Sequence, residues 1–354
     1  MSRKNRNRGF TLIELLVAAA IIGVMASLIF VGFSIVVDNA TENQCRKNLD
    51  QMGKATFAHR TAHSGYFPTG GWGWSWTGDA DRGFDLRQPC GWGYTILPYM
   101  GQDQMFNLPG DGDPAKITDE QKKGAAQLVT TVLETYQCPV RREAKLYPIT
   151  SGAWSGTPPN CAKISSGKVT KSDYAMNCGN QTRVEFDGGP SAGGMNSYVK
   201  TYTQSEGMIL SYTTRGVGYR MSMIASDEGS IPDGLGKTLL YGEKYVSPDL
   251  YESCRSGWDN EHTYTGFNND NYRSTNQKYT PRRDEPGVSL EHNFGGPHEL
   301  GTNFVFCDGK VVTLSFDIDS RVFYCLGDRG DDERDWEGNH VDINIQQLDA
   351  QNKK

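Results

Sequence analysis

Hydrophobic and polar positions divide this chain into three regimes. From Leu15 to Val37 there are 23 consecutive uncharged residues, most of them apolar. As a helix rising about 1.5 Å per residue, that run covers roughly 35 Å, enough for a hydrocarbon core of about 30 Å. Beyond it, Cys45, Leu49, Met52 and Thr56 recur at 4-3-4 spacing, with Arg46, Lys47, Asp50 and Lys54 elsewhere on the circumference. This is the stripe of an amphipathic helix. Ser64-Gly65 and then Pro68 predict its end. The expectation is one long helix, with residues 10–37 as a membrane-crossing half and residues 38–64 as an amphipathic half.

After residue 64 the helical period fades. The segment around Cys90 to Met100 reads as a short strand ending near Pro98. A helix is expected across Thr118 to Tyr136, with Thr118 as cap and Gln121 three residues later. Residues 150–207 are rich in Gly, Ser, Thr, Asn and Pro and predict long surface loops. Lys237 to Glu243 suggests a buried strand. Thr302–Cys307 and Lys310–Phe316 are β-rich runs on either side of Asp308-Gly309, which predicts a hairpin with a two-residue turn. The fold class expected is α+β, a long N-terminal helix packed on an antiparallel β-sheet with long loops. Residues 65–354 form the extracytoplasmic body.

Charge sharpens the picture. The net charge of −6 conceals an asymmetry, because residues 1–9 carry Arg3, Lys4, Arg6 and Arg8 and no acid. The rest of the chain holds 32 basic against 42 acidic residues, which gives no electrostatic basis for binding nucleic acid. The basic flank predicts a cytoplasmic N-terminus, with the body in the periplasm or cell exterior. A cleaved secretory signal has a shorter apolar region followed by a small-residue site. The one such run here, Ala18-Ala19-Ala20, is followed by more apolar sequence. Glu14 fits none of this. A carboxylate inside an apolar segment is costly and needs a partner. Cleavage between Gly9 and Phe10 would supply one, the new α-amine.

The residues GFTLIELLV (9–17), behind a basic leader and ahead of a membrane-length apolar run, resemble the class III signal of type IV pilins and type II secretion pseudopilins. The resemblance implies cleavage after Gly9 and N-methylation of Phe10 by a prepilin peptidase, and it makes Glu14 the assembly glutamate. Further along, His298 stands nine residues clear of Asp308-Gly309, within GGPHELGTNFVFCDGKV. With NQCRKNLDQMGKA, GYFP, GWGYTILPYM, Cys138-Pro139, KSDYAMN and KTLLYGEK, this is similar to a pilin-like family abundant in planctomycetes and catalogued as domain of unknown function 1559. That resemblance implies a fold and an assembly class but no catalytic activity. It also implies neighbouring subunits, an assembly ATPase and an inner-membrane platform as partners.

Other groups could carry chemistry. His298 and Asp308 could be metal ligands or an acid–base pair; the plainer reading gives Asp308 to the turn and His298 to a neighbouring loop. Asp328, Asp331, Asp332 and Asp335 lie in an acidic stretch whose oxygens could suit Ca²⁺, although not in EF-hand spacing. Trp72, Trp74 and Trp76 share one face if the segment is extended, and stacked indoles could bind a glycan. His59 and His63 at i, i+4 read as exposed helix histidines. Gly189 to Gly193 spells G-x-S-x-G, but its polar, glycine-rich flanks do not suit a hydrolase elbow. Eight cysteines in an exported chain predict disulfides, with Cys161–Cys178 and Cys307–Cys325 the shortest closures.

The expected function is therefore a subunit of a type IV pilus-like or type II secretion-like filament, with no enzymatic activity. The alternative is a membrane-anchored protein that binds a glycan or solute and does not polymerise.

Overall fold

The computed structural model describes residues 11–155, 158–205 and 214–353. Residues 1–43 and 44–354 form two units, and one helix, α1 (Leu12–Ala62), supplies chain to both. In the first unit Leu12, Ile13, Leu15, Leu16, Val17, Ile21, Ile22, Val24 and Met25 are all exposed. Side chains of residues 26–39, the later part of the apolar run, lie outside the described set. Among the described residues, no helix is long and apolar enough to cross a membrane.

The amphipathic half of α1 follows its sequence pattern. Cys45, Leu49, Met52 and Thr56 are buried, and so are Asn48 and His59. Ser64 takes a left-handed conformation (φ 53°), and the Gly65 N–H reaches back 2.8 Å to the Arg60 carbonyl. That is the Schellman ending the Ser-Gly pair predicts.

The second unit is built on a five-stranded sheet. Its strands are β1 (Tyr174–Asn177), β2 (Leu239–Glu243), β3 (Tyr272–Arg273), β4 (Thr302–Phe306) and β5 (Val311–Leu314), in the order β3-β1-β2-β4-β5. All pairs are antiparallel except β1 with β3, which is parallel, so the sheet is mixed. Alternation along β4 explains its complete burial. Val305 joins the core that holds Cys45, Leu49 and Met52 of α1, while Phe304 and Phe306 join a second core with Phe323 and Leu326. Those last two belong to a helix, α2 (Ser320–Gly327). The helix α1 comes close to the sheet at Gly53, where an added Cβ would meet Val305 Cγ2 at 2.9 Å.

Four local expectations change. Residues 150–207, expected as surface loops, supply β1 (Tyr174–Asn177), a fully buried strand lying between β3 and β2. Trp92–Thr95 and Leu97–Met100 are helical turns, not a strand. Trp92, Tyr94, Thr95 and Ile96 are all buried, so there is no exposed face for a half-buried strand to present. The helix capped by Thr118, whose hydroxyl accepts the Gln121 N–H at 3.2 Å, runs only from Asp119 to Val129. The hairpin turn has three residues rather than two. Gly309 N–H bonds to Phe306 O, Phe306 N–H bonds to Lys310 O, and Gly309 takes φ +93°. Glycine meets that positive angle without strain.

Candidate functional site

Two places carry chemistry. The first is the start of α1. Thr11 N–H and Thr11 Oγ donate to Glu14 Oε2 at 2.9 and 3.0 Å, and Glu14 N–H donates back to Thr11 Oγ1 at 3.3 Å. This reciprocal arrangement is a capping box. Glu14 therefore has a partner within the uncut chain, one that the focus on an α-amine overlooked. Gly9 and Phe10 lie outside the described residues.

The second place is buried in the body, where four chain segments converge. Cys45 comes from the buried stripe of α1 and Cys138 from the Cys-Pro segment. Glu243 ends strand β2, and His298 lies in the loop leading to β4. All four are buried, and one ligand atom from each lies within 4.8 Å of all the others. His298 Nε2 is 2.6 Å from Glu243 Oε1 and 3.8 Å from Cys138 Sγ. Glu243 Oε2 accepts the Asn303 N–H at 2.9 Å. Burial disfavours a charged imidazole, but Glu243 and Cys138 beside it outweigh that and raise the His298 pKa to about 11. Two sulfurs, an imidazole and a carboxylate make a donor set able to hold a divalent metal. Gly296 lies against two of these groups. A Cβ on Gly296 would stand 3.2 Å from Glu243 Oε2 and 3.5 Å from His298 Cδ2.

A buried ionic lattice holds this ground in place. Asp173 Oδ2 accepts the Cys138 N–H at 2.9 Å. Arg141 bridges Asp173 and Asp284, Arg142 bridges Asp173 and Asp259, and Lys244 reaches Asp259 at 2.9 Å. Burial alone would push the Asp259 carboxyl up, but Arg142 and Lys244 hold it well below the usual carboxylate range. Of all these groups, only His298 was singled out from sequence as a possible metal ligand. A carboxylate closing the apolar strand at Glu243 and a cysteine on the buried stripe of α1 were the available signals.

The structure separates the motif residues. His298 is buried with Glu243, while Asp308 is exposed at the hairpin tip, where its Oδ1 accepts the Lys310 N–H at 2.9 Å. Gly309 supplies the turn. The acidic stretch does not gather either. Asp335 accepts the N–H groups of Glu337 and Asn339, Asp332 is exposed, and Asp328 accepts Asn180 Nδ2. Burial and the neighbouring Asp328 raise the Asp331 pKa to about 7. Among the described residues, only the cysteine-containing cluster brings three or more such ligands together.

The tryptophan platform is overturned. Trp72 and Trp76 are buried, 4.9 Å apart at 73°, and their indole N–H groups donate to Leu86 O and Pro190 O. Trp74 is half-buried, and its carbonyl accepts the Trp154 N–H. The segment is a turn rather than a strand, so its indoles do not stack on one face. His59 is also not exposed. It is buried beside His63, Phe84 and Tyr99, and desolvation with the nearby His63 lowers its pKa to about 3. All eight cysteines are free and buried. The two shortest closures are not formed, as Cys161 and Cys178 donate to the carbonyls of Ala162 and Arg273. Ser191 is exposed, and no strand leads into it.

Comparison with known proteins bears first on the N-terminus. Residues 4–30 match the prokaryotic N-terminal methylation motif. The chain is thus a type IV pilin- or pseudopilin-like precursor, and the motif implies processing by a prepilin peptidase and assembly with other pilin-like subunits. No curated protein and no solved structure matches the chain. Residues 39–321 match the family described as "Protein of unknown function (DUF1559)", and the chain belongs to that family.

Proposed function

We propose that this protein is cut after Gly9, N-methylated at Phe10 and assembled through its N-terminal helix into a type IV pilus-like or type II secretion-like filament. The observation that carries this reading is the apolar start of α1, exposed from Leu12 to Met25 within the stretch that matches the methylation motif. Apolar surface of that extent must be covered by lipid or by other helices. The run Leu15–Val37 serves first as the membrane anchor, with the body outside the cytoplasm, and then as the filament core. Glu14, held at the helix start by Thr11, offers a carboxylate to the Phe10 amine of its own or a neighbouring subunit. An assembly ATPase and an inner-membrane platform complete the machinery.

Glu14→Ala tests the reading in the native host. Processing at Gly9 should continue while recovery of the protein in sheared surface filaments is lost. Filaments of normal yield from Glu14→Ala would overturn it.

A further inference from the structure

We propose that Cys45, Cys138, Glu243 and His298 form a structural zinc site that clamps helix α1 to the sheet. The donor set is two thiolates, one imidazole nitrogen and one carboxylate oxygen. It matches the borderline character of Zn²⁺ and fills four tetrahedral positions, as in structural sites. Four protein ligands leave no open position for a substrate, so the site holds the fold and does no chemistry.

Geometry carries the assignment. Zinc bonds of about 2.0–2.3 Å place tetrahedral ligand atoms roughly 3.3–3.8 Å from one another. The Cys138 Sγ to His298 Nε2 separation is 3.8 Å, and all four ligand atoms lie within 4.8 Å. The His298–Glu243 contact, now 2.6 Å, must open by about 0.7 Å on the same bond lengths, and any pair near the 4.8 Å limit must close by about 1 Å. An ion entering here displaces the thiol protons and the shared His–Glu proton.

The surroundings are those of a metal site. Glu243 is oriented by the Asn303 N–H on its second oxygen, and the Cys138 backbone is fixed by Asp173. Such outer contacts orient ligands and tune affinity. A cleft of about 480 Å³ is lined by Gln44, Asn48, Gln137 and Pro139, neighbours of the two cysteines, and by Arg142. It opens beside the chain positions of the two cysteines, and none of the four ligands lines it. The ligands come from four distant segments, so one ion would tie α1 to the sheet and to two loops.

The test uses full-length protein purified in detergent from cells grown in zinc-supplemented or cobalt-supplemented medium. Elemental analysis should find one zinc per chain. The cobalt form should show thiolate-to-cobalt charge-transfer absorption and intense visible bands of tetrahedral Co²⁺. Both signals should fall to background in Cys138→Ser and His298→Gln, and persist in Cys325→Ser, a buried thiol outside the cluster. If the cluster variants fail to fold, wild-type stoichiometry and the cobalt spectrum decide alone. Wild-type protein without stoichiometric metal, metal retained in folded Cys138→Ser, or a Cys45–Cys138 disulfide in peptide mass spectra would each overturn the proposal. The outcome does not depend on whether filaments form.

Discussion

His298 Nε2 stands 2.6 Å from Glu243 Oε1, a residue 55 positions away in sequence, while Asp308, its companion in the local motif, faces solvent at the hairpin tip. The two motif residues therefore do different work. His298 joins a buried cluster, and Asp308 shapes the turn that follows β4. In the metal-free protein, removing one member of this buried pair leaves the other uncompensated, at a cost of about 3–5 kcal/mol. His298→Ala and Glu243→Ala should each destabilise the body by that amount in denaturant titrations. Asp308→Ala removes one exposed hydrogen bond and should cost under about 1 kcal/mol. Equal losses at both motif positions would contradict this division.

The ionic lattice predicts a second sensitive point. Arg142 is buried and is shared by Asp173 and Asp259. Arg142→Met keeps much of the volume but leaves two buried carboxylates short of a cation, so a loss of about 3–5 kcal/mol is expected. Lys145→Met removes a half-exposed ion paired with Glu143 and Glu252 and should leave stability nearly unchanged. Thermal melts of the two variants side by side check the contrast.

Acid should weaken the body partly through His59. The folded-state pKa is lowered to about 3, whereas the unfolded chain protonates near about 6.5. Between those values the unfolded state binds more protons. The contribution of neutral His59 is therefore complete above the unfolded pKa and is lost as pH falls toward the folded one. Asp79, which burial pushes up to about 6, works in the opposite direction over part of this window. The informative quantity is the difference between wild type and His59→Phe, which keeps the ring packing against Phe84 and Tyr99. The variant should lose less stability than wild type between pH 7 and pH 4, and parallel curves would rule this out.

Trp72 and Trp76 should behave as core residues. Truncating a buried tryptophan to alanine costs about 3–5 kcal/mol, so Trp72→Ala and Trp76→Ala should lower soluble yield and melting temperature. Trp74→Ala, at a half-buried position, should be milder. Glycan binding by the wild type that disappears in Trp74→Ala with unchanged stability would restore a recognition role.

What could be read from the sequence was local. The 4-3-4 stripe at Cys45, Leu49, Met52 and Thr56, the Ser64-Gly65 helix end, the Thr118 cap and the β4–β5 hairpin depend on near neighbours, and all appear in the structure. The hairpin's turn length was missed because Asp-Gly also suits a three-residue loop with glycine at the left-handed position. His298 was read as a possible metal ligand beside Asp308, but the cluster it joins was missed for another reason. Its four residues lie on four segments brought together only by the sheet order and by α1, which no period or spacing records. Likewise, alternation at Trp72, Trp74 and Trp76 could not reveal that the segment folds as a turn under neighbouring loops.

The most direct measurement is mass spectrometry of the N-terminal peptide of the protein taken from native membranes. The account predicts a chain that begins at Phe10 bearing an N-methyl group. A chain that still carries Arg3 to Gly9 would contradict it, leaving Glu14 paired only with Thr11 and the protein a membrane-anchored monomer.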